Sequence, residues 1–197
     1  MRFLLGVDEA GRGPLAGPVS VGVVAVPEGF DVAREFLGVA DSKKLSEKAR
    51  EKIFTELEAR SARGDVRFTV ELESADVIDR EGITLAVRRA VSRGVNTLAP
   101  DAALVHVQLD GSLRAPAEYA QETIIHGDDL IPIISLASIA AKVVRDRLMV
   151  ELAAQYPDYG FEKHKGYGTR LHYEMLEKHG LCVIHRRSFL HLAMEGK

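Results

Sequence analysis

Four acidic positions carry the chemistry this sequence is equipped for. Asp8 with Glu9, Asp110, and Asp128 or its neighbour Asp129 each terminate an apolar, strand-like segment. In an open α/β sheet, residues at strand ends project into a shared crevice. Carboxylates gathered there repel one another unless cations neutralise them. An oxygen-only donor set, with no Cys or His pattern beside it, suits Mg²⁺ or Mn²⁺ rather than zinc. Two such ions about 4 Å apart can activate water and stabilise the oxygen leaving a phosphodiester. The pattern therefore points to metal-dependent phosphodiester hydrolysis. Taken singly, each acid has a plainer use, since Asp110-Gly111 reads as a turn and strand-end acids often cap helices.

Three further groups could contact a phosphate-bearing substrate. Gly11 and Gly13 in Gly11-Arg12-Gly13 let the backbone approach a ligand closely and offer it N–H groups, or else simply make a tight turn. The spacing is neither that of a dinucleotide fingerprint nor that of a P-loop. Ser42 and Lys43, just before a helix start, could hold phosphates or serve only as cap and solvated charge. Tyr167, between Gly166 and Gly168, can stack on a sugar or base; packing is the plainer reading.

These groups need a frame. Residues 2–8 read as a buried strand, and the Gly- and Pro-rich turn from Gly11 to Pro18 leads into a second strand, Val19 to Val26. Ser46 is placed to N-cap a helix from Glu47 to about Arg63. Val66 to Leu72 alternates as a strand and closes a meander with the first two. Ile83 to Val95 reads as a helix, Ala103 to Leu109 as a strand and Glu122 to Ile125 as a shorter one. Pro132 opens a long helix to about Ala154. On it Ser135, Ser138, Lys142 and Asp146 share one stripe, in a segment otherwise apolar through its first turns. Such a stripe must face a polar centre or water, and Lys142 and Asp146 are spaced to pair. Strands followed by alternating helix and strand predict a mixed α/β sheet with helices on its faces.

Composition narrows the class. A chain of 197 residues with 46% apolar content supports one core, so a single domain over 1–197 is expected. One cysteine, Cys182, excludes an internal disulfide and suits a reducing cytosol. The apolar start meets Asp8 and Glu9 too early for a signal peptide, and no run approaches the ~18 apolar residues of a membrane span. A cytoplasmic protein without a membrane partner is expected. The net charge of −3 conceals a basic C-terminal region. Between Gly160 and His191, Lys163, Lys165, Arg170, Lys178, Arg186 and Arg187 outnumber Glu162, Glu174 and Glu177, with five histidines interleaved. Local basic surface is what a phosphate backbone needs, although a solvated face has the same composition.

Read together, the motifs resemble type 2 ribonuclease H, ribonuclease HII. The resemblance rests on Asp8-Glu9-Ala10-Gly11-Arg12-Gly13-Pro14 followed by Leu15-Ala16-Gly17-Pro18. It extends through Asp41-Ser42-Lys43, Leu109-Asp110-Gly111, Gly127-Asp128, the block Ala137 to Asp146, and His164-Lys165-Gly166-Tyr167-Gly168-Thr169. These run in the family's order from residue 6 to about residue 190. It implies a ribonuclease H-like fold, with a central mixed five-stranded sheet flanked by helices and a C-terminal helical part, about 155–197, completing the substrate groove. It implies that Asp8, Glu9, Asp110 and Asp128, rather than Asp129, are the catalytic carboxylates that bind Mn²⁺ or Mg²⁺. It further implies that Gly11, Arg12 and Gly13 read the 2′-hydroxyl of a ribonucleotide through backbone groups, that Tyr167 packs on that sugar, and that Ser42 and Lys43 hold DNA-side phosphates. The expected substrates are RNA–DNA hybrids and duplex DNA carrying ribonucleotides, and the expected state is a monomer. His126 departs from the family, which commonly has lysine before the Gly-Asp pair. The chain also stops soon after Phe189, without the helical extension some members carry.

Two other functions share part of this pattern. A junction resolvase on the same fold would use clustered carboxylates but has no need of a turn that reads a 2′-hydroxyl. A non-catalytic nucleic-acid-binding module is disfavoured by the acids themselves, since four unneutralised carboxylates would repel phosphate.

Overall fold

The computed structural model describes residues 2–39 and 45–194, with side chains described as far as Leu190. Five strands form one sheet in the order β3-β2-β1-β4-β5: β1 is Phe3–Ala10, β2 Val19–Pro27, β3 Arg67–Glu73, β4 Val105–Asp110 and β5 Ala120–Ile124. The first three strands are an antiparallel meander, and β1, β4 and β5 run parallel. The sheet is therefore mixed, as expected. β1 occupies its centre and is apolar on both faces until it reaches Asp8.

Helices cover both faces. On one, α3 (Ala75–Glu81) and α4 (Ile83–Leu98) enclose a core with Leu5, Val7, Val21, Val23, Val107 and Leu109. On the other lie α1 (Val32–Glu35), α2 (Glu47–Arg63) and the 24-residue α6 (Pro132–Gln155), packed around Val24, Val26, Phe36, Phe54 and Leu57. Ser46 caps α2 as its position predicts, accepting from the Ala49 N–H at 3.2 Å. A short α5 (Gly127–Leu130) precedes α6, while α7 (Phe161–His164), α8 (Arg170–His179) and α9 (Arg187–Met194) follow it.

Two glycines let α6 approach the sheet at backbone distance. A Cβ at Gly6 would collide with the Ile133 carbonyl, and one at Gly22 with the Ala137 carbonyl. Gly22 is the register partner of Asp8, so the same close contact sets α6 beside the first acid. A satellite cluster of Ala16, Met149, Tyr159 and Phe161 joins the far end of α6 to the C-terminal helices and to the loop after β1. Among the described residues no helix is long and apolar enough to cross a membrane.

Candidate active site

The sheet register brings the acids together. β1 pairs in parallel with β4 as far as Val7 opposite Leu109; the next residues along are Asp8 and Asp110, so they leave adjacent strands on the same face. Asp8 is buried and Asp110 partly so. Burial pushes the Asp8 carboxyl well above its ordinary range, the neighbouring charges of Glu9 and Asp110 push the same way, and a hydrogen bond from Ser138 opposes them. Burial likewise raises Glu9, against the attraction of Arg12, whose Nη1 lies 3.2 Å from its Oε1. The other Glu9 oxygen, Oε2, is buried with no hydrogen-bond partner.

Asp128 arrives differently from the expectation. β5 ends at Ile124, and Asp128 sits in the first turn of α5 rather than at a strand end. His126 makes the turn with left-handed backbone (φ 57°), uncommon for a residue with a Cβ. The Asp128 N–H then faces Asp110 Oδ1 at 3.3 Å, and its carbonyl accepts from buried Ser135 Oγ at 2.6 Å. Asp128 is buried and Asp129 exposed, so only the first of the pair points inward.

The polar stripe of α6 faces this centre as its burial requires: Ser135 holds the Asp128 backbone, Ser138 bonds Asp8, and Lys142 pairs with Asp146 at 2.9 Å. Among the described residues no three His, Cys, Asp or Glu side chains are arranged to grip one ion as they stand. The donor chemistry nevertheless fits hard divalent cations. Three electrostatically coupled carboxylates include a buried oxygen lacking any partner, and a charge there would relieve both defects.

The turn after β1 is built by two arginines that sequence pattern did not single out. Arg145 of α6 is completely buried; its Nε, Nη1 and Nη2 donate to the carbonyls of Pro18, Lys165 and Ala16 at 2.8, 3.0 and 3.2 Å. Arg186, equally buried, donates to Gly17, Arg12 and Gly11 at 2.9, 2.9 and 2.7 Å. Burial, reinforced by Arg145, lowers the Arg186 guanidinium to about 9, which leaves it cationic at neutral pH. The two glycines of the turn have separate duties. Gly11 has φ +87° and no room for a Cβ against Arg145, whereas Gly13 is exposed with nothing near a built Cβ. Gly11 serves the fold; the space at Gly13 is open to a ligand.

Tyr167 lies across the same groove. The residue is 41% exposed, with Lys142 Nζ and the Arg145 guanidinium carbon 5.6 and 5.9 Å from its ring centre. With Glu9, Gly11, Arg50, Ser138 and Lys142 it lines a cleft of about 240 Å³. Against known proteins, residues 5–192 match the family model described as Ribonuclease HII. The chain belongs to the ribonuclease HII family. It is 47% identical over 187 residues to the ribonuclease HII of Endomicrobium trichonymphae, covering 93% of this chain and 83% of that protein. Its fold is shared with the ribonuclease H2 of Pyrococcus horikoshii OT3, at a TM-score of 0.75 and 27% identity over 94% of this chain and 93% of that one. It is shared too with a ribonuclease HIII (Bst-RNase HIII) solved with Mn²⁺, at a TM-score of 0.62 and 20% identity over 98% and 71% of the two chains. As a ribonuclease HII it is a hydrolytic endoribonuclease, and the family acts on RNA–DNA hybrids.

Other expectations need revision in a ribonuclease HII built this way. Ser42 and Lys43 lie outside the described residues, so their expected part in holding phosphates is neither met nor revised. The C-terminal basic region is not one solvated face, because Arg186, His164, His172 and His185 are buried. Arg50 of α2 lines the cleft although the sequence pattern assigned it no part. Its Nη1 donates to the Leu45 carbonyl at 2.7 Å, an inward use of a residue that looks like one more surface charge on a helix.

The buried histidines form a chain beneath Tyr167. His185 Nδ1 accepts from the Cys182 N–H at 2.9 Å, which leaves its Nε2–H to donate to His172 Nε2 at 3.1 Å. His172 Nδ1–H then donates to the Tyr167 carbonyl at 2.9 Å, and His164 stacks on His172 with ring centres 4.4 Å apart. The two accepting nitrogens, His185 Nδ1 and His172 Nε2, require neutral imidazole. Burial lowers all three, His172 to about 4. A folded-state value below the ordinary 6.5 means stability is full above that pH and is lost as acid protonates the unfolded chain first. We expect urea unfolding to show about 3 kcal/mol lost between pH 6.5 and 4 through His172. A His172→Gln variant should flatten that slope; an unchanged slope would assign the acid sensitivity elsewhere.

Proposed function

We propose that the chain hydrolyses the phosphodiester on the 5′ side of ribonucleotides, in RNA–DNA hybrids and at single ribonucleotides embedded in duplex DNA, leaving 5′-phosphate and 3′-hydroxyl ends. The observation that carries this reading is the juxtaposition of the coupled acids Asp8, Glu9 and Asp110 with the clamped Gly11-Arg12-Gly13 turn. Asp8, Glu9, Asp110 and Asp128 would hold the divalent ions; a ribonuclease HIII that shares the fold was solved in complex with Mn²⁺. Such ions, Mn²⁺ or Mg²⁺, supply water activation and charge stabilisation at the leaving 3′-oxygen.

The protein's own residues do the positioning. Ser138 and the Glu9 N–H bond the Asp8 carboxylate and fix its direction. Asp110 is held by the Asp128 backbone, so the last two acids move together. The open side of Gly13 admits a ribose edge, and the exposed Tyr167 face, backed by Lys142, can pack on that sugar. The C-terminal part from about residue 155 would close one side of the groove as part of a single catalytic unit, since Arg186 reaches back to the turn.

The test is a DNA duplex with one ribonucleotide, incubated with each metal in turn and with chelator. Metal-dependent cleavage giving 5′-phosphate ends is expected. A 2′,3′-cyclic phosphate would overturn the mechanism, because it means the RNA's own 2′-hydroxyl attacked. Tyr167→Ala should lower cleavage at a single embedded ribonucleotide more than on a long RNA–DNA hybrid, by about tenfold if it removes one stacking interaction worth roughly 1–3 kcal/mol. Equal loss on both substrates would give Tyr167 a general packing role.

A further inference from the structure

The arginines of α3 and α4 are used unevenly. Arg80 pairs with Asp76, Arg89 with Glu81 and Arg93 with Glu71, at 2.7, 2.6 and 3.1 Å. Arg88 is exposed and has no ion pair among the described residues, although it lies beside Arg89 in sequence. It lines a groove of about 310 Å³ that shares no lining residue with the Tyr167 cleft, with Arg12, Thr84, Ser112 and Arg114 over a floor that includes Val87. Among the described residues no Asp or Glu lines this groove. Arg114 is exposed and bonds only neutral groups, the Leu113 carbonyl and the Thr123 hydroxyl.

Two of the groove's lining residues adjoin the acid site. Arg12 lines its wall while reaching Glu9 at 3.2 Å, and Ser112 follows Asp110 by two residues. Guanidinium groups without an ion pair, and hydroxyls, spread along one groove that no acid lines suit an anion that is extended rather than compact. We infer that Arg88 and Arg114, with Thr84 and Ser112, bind the phosphate backbone of the substrate duplex on the flank of the ribonucleotide beyond Asp110. This rests on the proposed cleavage of ribonucleotide-bearing duplexes and adds a second binding track to it. The track engages phosphate, so it secures register on the duplex without reading base identity. An acidic peptide is a poorer match, since the groove's Arg12 pairs with Glu9 and its Ser112 lies two residues from Asp110, beside the acids at which the substrate duplex would be cut.

Steady-state cleavage of a single-ribonucleotide duplex tests the inference, using wild type, Arg88→Ala/Arg114→Ala, the Lys/Lys double variant, and Arg80→Ala as a control for lost surface charge. The double alanine variant should raise KM about tenfold at near-physiological salt with kcat unchanged. Its salt dependence of log KM should flatten by roughly 1 for each phosphate that the two arginines no longer neutralise. The lysine pair should recover much of the salt dependence, and Arg80→Ala should match wild type. Shortening the duplex on one flank should raise the wild-type KM but leave the alanine variant unchanged. If wild type cuts the substrate while the alanine pair keeps its KM, salt slope and flank dependence, this second track is wrong and the cleavage reading stands. If wild type does not cut at the ribonucleotide, the cleavage reading itself fails. A matching melting temperature for the variants excludes misfolding as the cause.

Discussion

Asp8→Asn should yield a folded protein that no longer cleaves, with activity reduced at least about a thousandfold, equivalent to roughly 4 kcal/mol of barrier. The asparagine is isosteric and occupies the same buried place between Gly22 and Ser138. What it removes is the charge, and with it the attraction for a cation shared with Glu9 and Asp110. Without metal that same charge is a burden to the fold, because burial and both neighbours hold the carboxyl well above its ordinary range. In chelator, Asp8→Asn should therefore melt above the parent, by on the order of 2–4 °C for each 1 kcal/mol of repulsion relieved. Adding Mn²⁺ or Mg²⁺ should then raise the parent's melting temperature and leave the variant's nearly unchanged. Activity lost together with a lower melting temperature in chelator would mean that Asp8 is structural. Asp110→Asn should behave alike in activity, but it also supports the Asp128 backbone through Oδ1, so its stability gain should be smaller.

Those acids could be read because strand periodicity has a hard edge. Leu5 and Val7 alternate into one core, and the pattern breaks at Asp8; Val107 and Leu109 do the same before Asp110. The stripe of Ser135, Ser138, Lys142 and Asp146 was legible for the same reason, since a helix otherwise apolar must aim its polar side at something. Asp128 was harder, because a left-handed residue at His126 and a single turn of helix leave no periodic trace. Short α3 escaped similarly, and α7 and α8 were expected only as an undivided helical part from the resemblance. Most opaque were Arg145, Arg186 and the three buried histidines. A buried cation bonded to backbone carbonyls has the same letter as one in water, and all but one of the carbonyls that Arg145 and Arg186 hold lie more than a hundred residues away. The sequence between Gly160 and His191 reads as a basic surface, while part of it is the scaffold under the turn. The same scaffold separates the glycines of that turn, which composition treats alike: Gly11 is demanded by Arg145 behind it, and Gly13 by nothing within the chain.

That scaffold leads to the second large effect. Arg186→Met should cost on the order of 3–5 kcal/mol of stability, while Arg187→Met, one residue later and exposed, should fall within about 0.5 kcal/mol of wild type. The methionine fills similar volume but leaves the carbonyls of Gly11 and Gly17 buried, and that of Arg12 partly buried, without donors. Each such orphan costs about 1–3 kcal/mol. Lysine should rescue little, because one ammonium cannot reach three carbonyls in the geometry of a planar fork. Urea midpoints of the adjacent variants measure the difference directly, and equal midpoints would show that the clamp does not hold the turn. The functional consequence separates this residue from ordinary core. At a temperature where Arg186→Met remains folded, cleavage should still fall, because Gly11 and Arg12 present their backbone to the groove only while Arg186 holds their carbonyls from behind. Metal-induced stabilisation should persist in that variant, since Asp8, Glu9 and Asp110 are positioned by the sheet and α6 instead. Loss of both together would mean that turn and acid cluster form one cooperative unit. Loss of cleavage alone would show that the arginine positions the turn while the sheet independently positions the acids.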